Sequence, residues 1–115
     1  MVELKSFIRD IPDFPKPGII FKDITPLLGD TAAFAQTIDL LCGRLKSEDF
    51  DVIVPVESRG FLFGAPLAYQ MRKPLVPVRK PGKLPAATYS IEYSLEYGEN
   101  TMEIHADGIQ RGQKA

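Results

Sequence analysis

Residues suited to anion chemistry cluster at two places, in VIVPVESRG at 52–60 and in VRKPGK at 78–83. In each, a short apolar run stops on polar or charged residues: Glu57, Ser58 and Arg59 after the first, Arg79, Lys80 and Lys83 after the second. Guanidinium and ammonium groups placed this way suit a phosphate or pyrophosphate, because arginine presents a rigid fork of donors to paired oxygens. From Ser58 to Ile91 the chain carries Arg59, Arg72, Lys73, Arg79, Lys80 and Lys83, and no Asp or Glu. In a chain of 115 residues with a formal charge of -1, that is positive charge concentrated locally. Charge alone fits a solvated basic surface as well; the strand-end positions of Arg59 and Arg79 favour a small anionic ligand.

Positioning these groups requires two strands and a crossover. DVIVPV (51–56) is apolar on both faces, as a parallel strand covered by helices is. GFLFGAPLAYQMRK reads as a buried helix with Pro66 in its first turn. PLVPVRK (74–80) reads as a second strand, so 51–80 has the length of one βαβ unit. Parallel strands joined by a right-handed crossover bring both carboxyl ends to one edge of the sheet, where open parallel sheets bind ligands.

Upstream, Leu4, Phe7, Ile8 and Ile11 repeat at helical spacing and predict a short amphipathic helix ended by Pro12. PDFPKPGIIFKDITPLLGD is too rich in proline and glycine for a long element, with GIIFKD a short extended piece. From Thr31, Phe34, Ile38, Leu41, Cys42 and Leu45 share a helical face, and Asp30 or Thr31 caps the start. Downstream, Tyr89, Ile91, Tyr93, Leu95 and Tyr97 alternate with Ser90, Glu92, Ser94 and Glu96. A turn is expected at Gly98-Glu99-Asn100, after which Met102, Ile104 and Ala106 continue the apolar face of a two-stranded arm. His105, the one histidine, falls on the polar face and reads as an exposed strand residue, with no second ligand at metal spacing.

Composition excludes several classes. The chain is 44% apolar and 25% charged, the balance of an ordinary globular domain. The charge balance argues against nucleic-acid or anionic-membrane partners, and no run of 18 apolar residues occurs. One cysteine, Cys42, and a charged N-terminus fit a cytoplasmic protein. No phosphate-binding P-loop, dinucleotide fingerprint or nucleophile elbow is present.

RDIPDFPKPGIIFKDITPLL, ESRGFLFGAPLA, RKPGKLP and YSLEYG, in that order, resemble the adenine phosphoribosyltransferase family, from about Ile8 to the last residue. The resemblance implies an α/β, type I phosphoribosyltransferase fold: a parallel sheet flanked by helices, an N-terminal hood (1–30), a βαβ core (31–87) and a β-hairpin flap (88–106). It implies transfer of a phosphoribosyl group from phosphoribosyl pyrophosphate to adenine, giving AMP and pyrophosphate in purine salvage, with Mg²⁺ carried by phosphoribosyl pyrophosphate and a homodimeric state. Ile20, Phe21 and Lys22 would hold adenine. Arg59 and the Glu57-Ser58 peptide, which is cis in some similar enzymes, would hold pyrophosphate together with Arg79, Lys80 and Lys83. Ser94, Glu96 and Tyr97 would close over the reacting centre, with Glu96 as the catalytic carboxylate; no metal ligands are assigned.

In the pattern this resemblance supplies, an apolar strand, an Asp-Asp pair and a Gly/Thr-rich loop for the ribose 5′-phosphate would follow Ala115. The 115 residues are therefore expected to be the first two-thirds of a single domain, its C-terminal part missing, and inactive alone. Two other readings remain: a non-catalytic regulator that binds a purine or phosphoribosyl pyrophosphate, and a protein-interaction module.

Overall fold

The computed structural model describes residues 1–95 and 98–115. Its contacts group the chain into two compact units, Met1–Lys46 and Ser47–Ala115.

The first unit opens with a 3-10 turn at Leu4–Phe7, followed by strand β1 (Arg9–Pro12) paired antiparallel with β2 (Ile20–Asp23). The amphipathic helix expected over Leu4–Ile11 is thus replaced by a turn and a strand. Charge complementarity across the hairpin explains the difference. The register sets Arg9 opposite Asp23 and Asp10 opposite Lys22, and both pairs form ion pairs. Opposite charges facing each other support strand pairing on either face, while Pro12 and Pro15 leave a helix no room to lengthen. The connection 13–19 is tightened by the Gly18 amide donating to Asp13 Oδ1 (2.9 Å), with Asp13 and Gly18 both at positive φ.

Asp23 joins this hairpin to helix α1 (Thr25–Leu28). Its carboxylate accepts from the Thr25 amide and hydroxyl and from Arg9, in that order of effect, and these hold its pKa down to about 2. Helix α2 (Thr31–Leu45) starts where expected: the Asp30 carboxylate caps it by accepting from the Ala33 amide (2.8 Å). Leu27, Ala33 and Ile38 are the buried apolar residues of this unit, and the Gln36 side chain holds both backbone groups of Val2.

In the second unit the segments 51–57 and 74–79 pair in parallel, as expected, but as isolated bridges, Ile53 with Leu75 and Val56 with Val78. Four bonds join them: Ile53 N–H to Pro74 O, Val76 N–H to Ile53 O, Val78 N–H to Pro55 O and Glu57 N–H to Val78 O, each 2.9 Å. Alternate backbone groups of 51–57 face the partner, so Pro55 stands where the next donor should be and removes one rung. Pro77 does the same on the other side of its segment. There Arg79 exchanges two backbone bonds with Glu103, an antiparallel bridge to the hairpin of β3 (Thr88–Leu95) and β4 (Gly98–His105). The continuous parallel sheet expected from the sequence is therefore a proline-interrupted pairing, and the fully laddered sheets among the described residues are the two antiparallel hairpins.

Helix α3 (Arg59–Met71) begins directly at the end of the first parallel segment, so Pro66 lies in its interior rather than in its first turn. One face is buried through Gly64, Leu67 and Ala68, whereas Leu62 and Tyr69 are exposed; the helix is not apolar-buried all round. The buried face is set by glycine. A methyl group at Gly64 would stand 2.7 Å from Pro55 Cβ, closer than side chains approach. In the hairpin, Leu95 pairs with Gly98, so Gly98, Glu99 and Asn100 belong to β4 and not to a turn. His105 is half-buried, its Nε2 accepting from the Ala86 amide.

Gly64→Ala is expected to destabilise by about 1–3 kcal/mol through overpacking, outweighing its gain in helix propensity of roughly 1 kcal/mol. Gly43→Ala in α2, where an added methyl meets nothing within 4 Å, isolates that gain and should raise the melting temperature. Thermal denaturation of both variants checks the contrast.

Candidate active site

The two parallel segments end side by side, and one carboxylate closes them. Glu57, 11% exposed, accepts from Arg79 Nη2 at Oε1 (3.2 Å), from Arg79 Nε at Oε2 (3.3 Å) and from the Lys80 amide at Oε2 (2.7 Å). Its pKa is held below the ordinary glutamate value, first by the Lys80 amide and then by the Arg79 guanidinium, against a desolvation that pushes the other way; Lys83 adds a smaller attraction. The Glu57 carboxylate is thus spent on the protein, and what it offers a ligand is the placement of Arg79 and Lys80. On its other side Arg79 lies over the Phe61 ring, 5.6 Å from the centroid. Held between a carboxylate and an aromatic face, this guanidinium loses little freedom on meeting an anion.

The Glu57–Ser58 peptide is cis, and Ser58 stands at the N-cap of α3 without a side-chain capping bond. Helix α3 starts there, so the positive end of its dipole lies where the strand ends, which suits a negatively charged group; of its first turn, the Phe61 amide donates to the Ser58 carbonyl (3.1 Å). Lys80 and Lys83 are exposed in the loop after the second segment, which turns through Gly82 at φ +82. Glu57, Ser58, Arg59, Arg79, Lys80 and Lys83 accordingly come from one strand-end edge of the second unit. Arg72 and Lys73 do not join them. They sit beyond the far end of α3, where Arg72 lies over Tyr69 and Lys73 donates to the Phe50 carbonyl (2.8 Å). The run of six cations is therefore two groups with different work. Phe61, in the first turn of a helix that starts at a strand end, is signalled in the sequence only by its place beside Arg59-Gly60.

In the first unit, Ile20, Phe21 and Lys22 are consecutive residues of β2. Alternation sends Phe21 to the face it shares with Ile11, while Ile20 and Lys22 point the other way. Phe21 packs edge-to-face on Phe14 (5.2 Å between centroids, 74° between planes), and Ile11, Phe14, Phe21 and Asp23 line a shallow pocket of about 240 Å³. Lys22 is engaged with Asp10.

In the arm, Ser94 is exposed and pairs with Glu99. Glu96 and Tyr97 lie outside the described residues. Among the described residues no three His, Cys, Asp or Glu side chains gather as a metal site, and the Glu57 oxygens are already taken.

Comparison with known proteins supplies the class. The chain superposes on the crystal structure of adenine phosphoribosyltransferase from Thermoanaerobacter pseudethanolicus with a TM-score of 0.92 and 58% identity, over 96% of this chain and 64% of that one. The yeast enzyme, solved with adenine and an imino-altritol bisphosphate, matches with a TM-score of 0.85 and 38% identity, over 96% of this chain and 65% of that one. Over the part it covers, the chain has the phosphoribosyltransferase fold. In sequence it is 58% identical to adenine phosphoribosyltransferase of Thermotoga neapolitana over 113 residues, 98% of this chain and 66% of that one. No protein-family model matches. The chain belongs to the adenine phosphoribosyltransferase family and spans about two thirds of the length of the relatives it matches.

A carboxylate whose folded pKa is depressed binds fewer protons folded than unfolded. The stability Glu57 contributes is therefore complete above its unfolded value and is lost as pH falls through the folded one. Side-chain NMR titration should place the Glu57 midpoint below 4.5, the ordinary glutamate value. Arg79→Gln should raise it only part of the way, because the Lys80 amide remains. A midpoint at or above the ordinary value would show that the two strand ends are not tied.

Proposed function

We propose that these residues supply the base-binding and pyrophosphate-binding parts of an adenine phosphoribosyltransferase of purine salvage. Glu57 locking Arg79 and Lys80 beside the start of α3 is the observation that carries the reading. In this reading the leaving pyrophosphate is gripped by Arg59, the Ser58 peptide, Arg79, Lys80 and Lys83, and adenine rests against Phe21. Mg²⁺ enters on the diphosphate of phosphoribosyl pyrophosphate and offsets its charge.

N9 of adenine attacks C1′ of the ribose as the bond from C1′ to the pyrophosphate oxygen breaks, and pyrophosphate leaves with the electron pair. In this reading the Glu96 carboxylate offsets the positive charge developing at C1′ and takes the proton that leaves adenine. Ser94 and Tyr97 close with it as the flap excludes water that would hydrolyse the donor. The cations act on the other side of the transition state, where the leaving group gathers negative charge.

In the polypeptide of the complete reading frame, adenine and phosphoribosyl pyrophosphate with Mg²⁺ should yield AMP, in preference to the products of guanine or hypoxanthine. Arg59→Ala and Glu96→Leu should each lower turnover by roughly 10²–10⁴-fold. Wild-type rates in either variant would remove that residue from the site. The 115 residues include no adjacent Asp pair to orient the ribose hydroxyls, so by themselves they should bind pyrophosphate weakly and give no turnover. The setting is the cytoplasm.

The polypeptide also pairs with a second copy of itself. Leu62 (46% exposed) and Tyr69 (74%), two turns apart on one face of α3, are apolar surface that such pairing would cover. Sedimentation at twice the monomer mass is expected, and a monomer at micromolar concentration would count against it.

A further inference from the structure

The loop that follows Arg79 is held at two points by one residue of the neighbouring hairpin. Glu103, in β4, exchanges both backbone bonds with Arg79: Arg79 N–H to Glu103 O at 2.9 Å, and Glu103 N–H to Arg79 O at 2.7 Å. Its carboxylate then reaches along the loop. Oε1 accepts from the Gly82 amide (3.0 Å) and Oε2 from the Thr88 hydroxyl (3.4 Å). Pro81 has no N–H, and the Lys80 amide is committed to Glu57. The Gly82 bond therefore fixes the turn, at φ +82, from which Lys83 departs. Attraction for an anion does not explain Glu103, since a carboxylate beside Lys80 and Lys83 weakens the local positive potential. Geometry does: main chain and side chain of one residue grip the loop three residues apart.

From this we propose that Glu103 is a positioning residue for the pyrophosphate-binding loop, setting Lys83 and tying the loop to the return strand of the flap hairpin. The proposal rests on the phosphoribosyltransferase reading above for what the loop binds, though not for the tie itself. Because Glu103 lies in β4, one strand residue holds Arg79 and Gly82 together. Glu103 thus acts through Arg79, Gly82 and Lys83 without touching substrate.

Replacing the carboxylate by an amide separates geometry from charge, because the glutamine oxygen still accepts from Gly82. In the polypeptide of the complete reading frame, Glu103→Ala should raise KM for phosphoribosyl pyrophosphate about tenfold, KM for adenine moving less than about twofold. Glu103→Gln should stay within about twofold of wild type on both. Amide hydrogen exchange at Gly82 should be slow in wild type and in Glu103→Gln, and at least about tenfold faster in Glu103→Ala. Glu103→Leu, a strand former with no acceptor, reads the same way where the alanine variant does not fold. A glutamine variant as impaired as alanine would overturn the proposal in favour of a charge role, and unchanged Gly82 exchange in the alanine and leucine variants would overturn the tie. Absence of AMP formation in the wild type would remove the functional reading, and the Gly82 exchange would still decide whether Glu103 holds the loop.

Discussion

The bond set around the Glu57 carboxylate is what the second unit's chemistry depends on. Two parallel segments meet there, and their backbone cannot zip them to the end. Pro55 removes a rung between them, and Pro74 and Pro77 lack donors of their own. A side chain takes over where the main chain stops. By accepting from the Lys80 amide as well as the Arg79 guanidinium, Glu57 fixes both the path of the second segment and the direction of its first cation. A partly buried pair of this kind contributes little net stability, because desolvation offsets most of its attraction. Its value is geometric: it decides where Arg79 points before any ligand is present.

Pro55 has a second consequence. Its ring is the seat on which α3 lands, and the absence of side chains at Gly60 and Gly64 lets the helix come down onto it. That contact holds the start of α3 at the strand end, so the residues that leave the first segment become the first turn of the helix. The far end of α3 is pinned separately by Arg72, in the left-handed conformation at the C-cap, and by Lys73 on the Phe50 carbonyl. Cations that look continuous in sequence are thus divided by the length of one helix. The division groups Arg59, Arg79, Lys80 and Lys83 at the strand-end edge, apart from Arg72 and Lys73.

Much of this was legible because the signals were local. The Asp30 cap of α2, the alternating arm and the two apolar runs ending in charge each follow from a few adjacent residues. The misreadings came from interactions between segments far apart in sequence. Leu4–Ile11 has helical spacing, but Arg9-Asp10 matches Lys22-Asp23 in antiparallel register, and that complementarity decides for a strand. Pro66 suggested a first turn because the stop at Glu57 hid how early α3 begins. Gly98-Glu99-Asn100 has turn composition, yet the register set by Tyr89 against Ile104 and Ile91 against Met102 carries those three residues into β4. Glu103 went unread because its role exists only once that register brings it to Arg79. The composition of the arm marks two strands and not which loop they will meet.

Two carboxylates bonded to a loop that carries Arg79, Lys80 and Lys83 need a physical reason, and self-repulsion among the cations supplies it. Like charges about 4 Å apart repel by roughly 4 kcal/mol at the effective dielectric of a protein surface. Four cations gathered without counter-charge would splay into solvent and leave no defined site. Glu57 and Glu103 each lie against the loop and bond to its amides, at Lys80 and Gly82 respectively. They lower the cost of keeping the cations together through bonds to backbone amides, which do not engage the exposed Lys80 and Lys83 side chains. Under the proposed function, a diphosphate would meet cations whose ordering cost falls partly on folding rather than on binding.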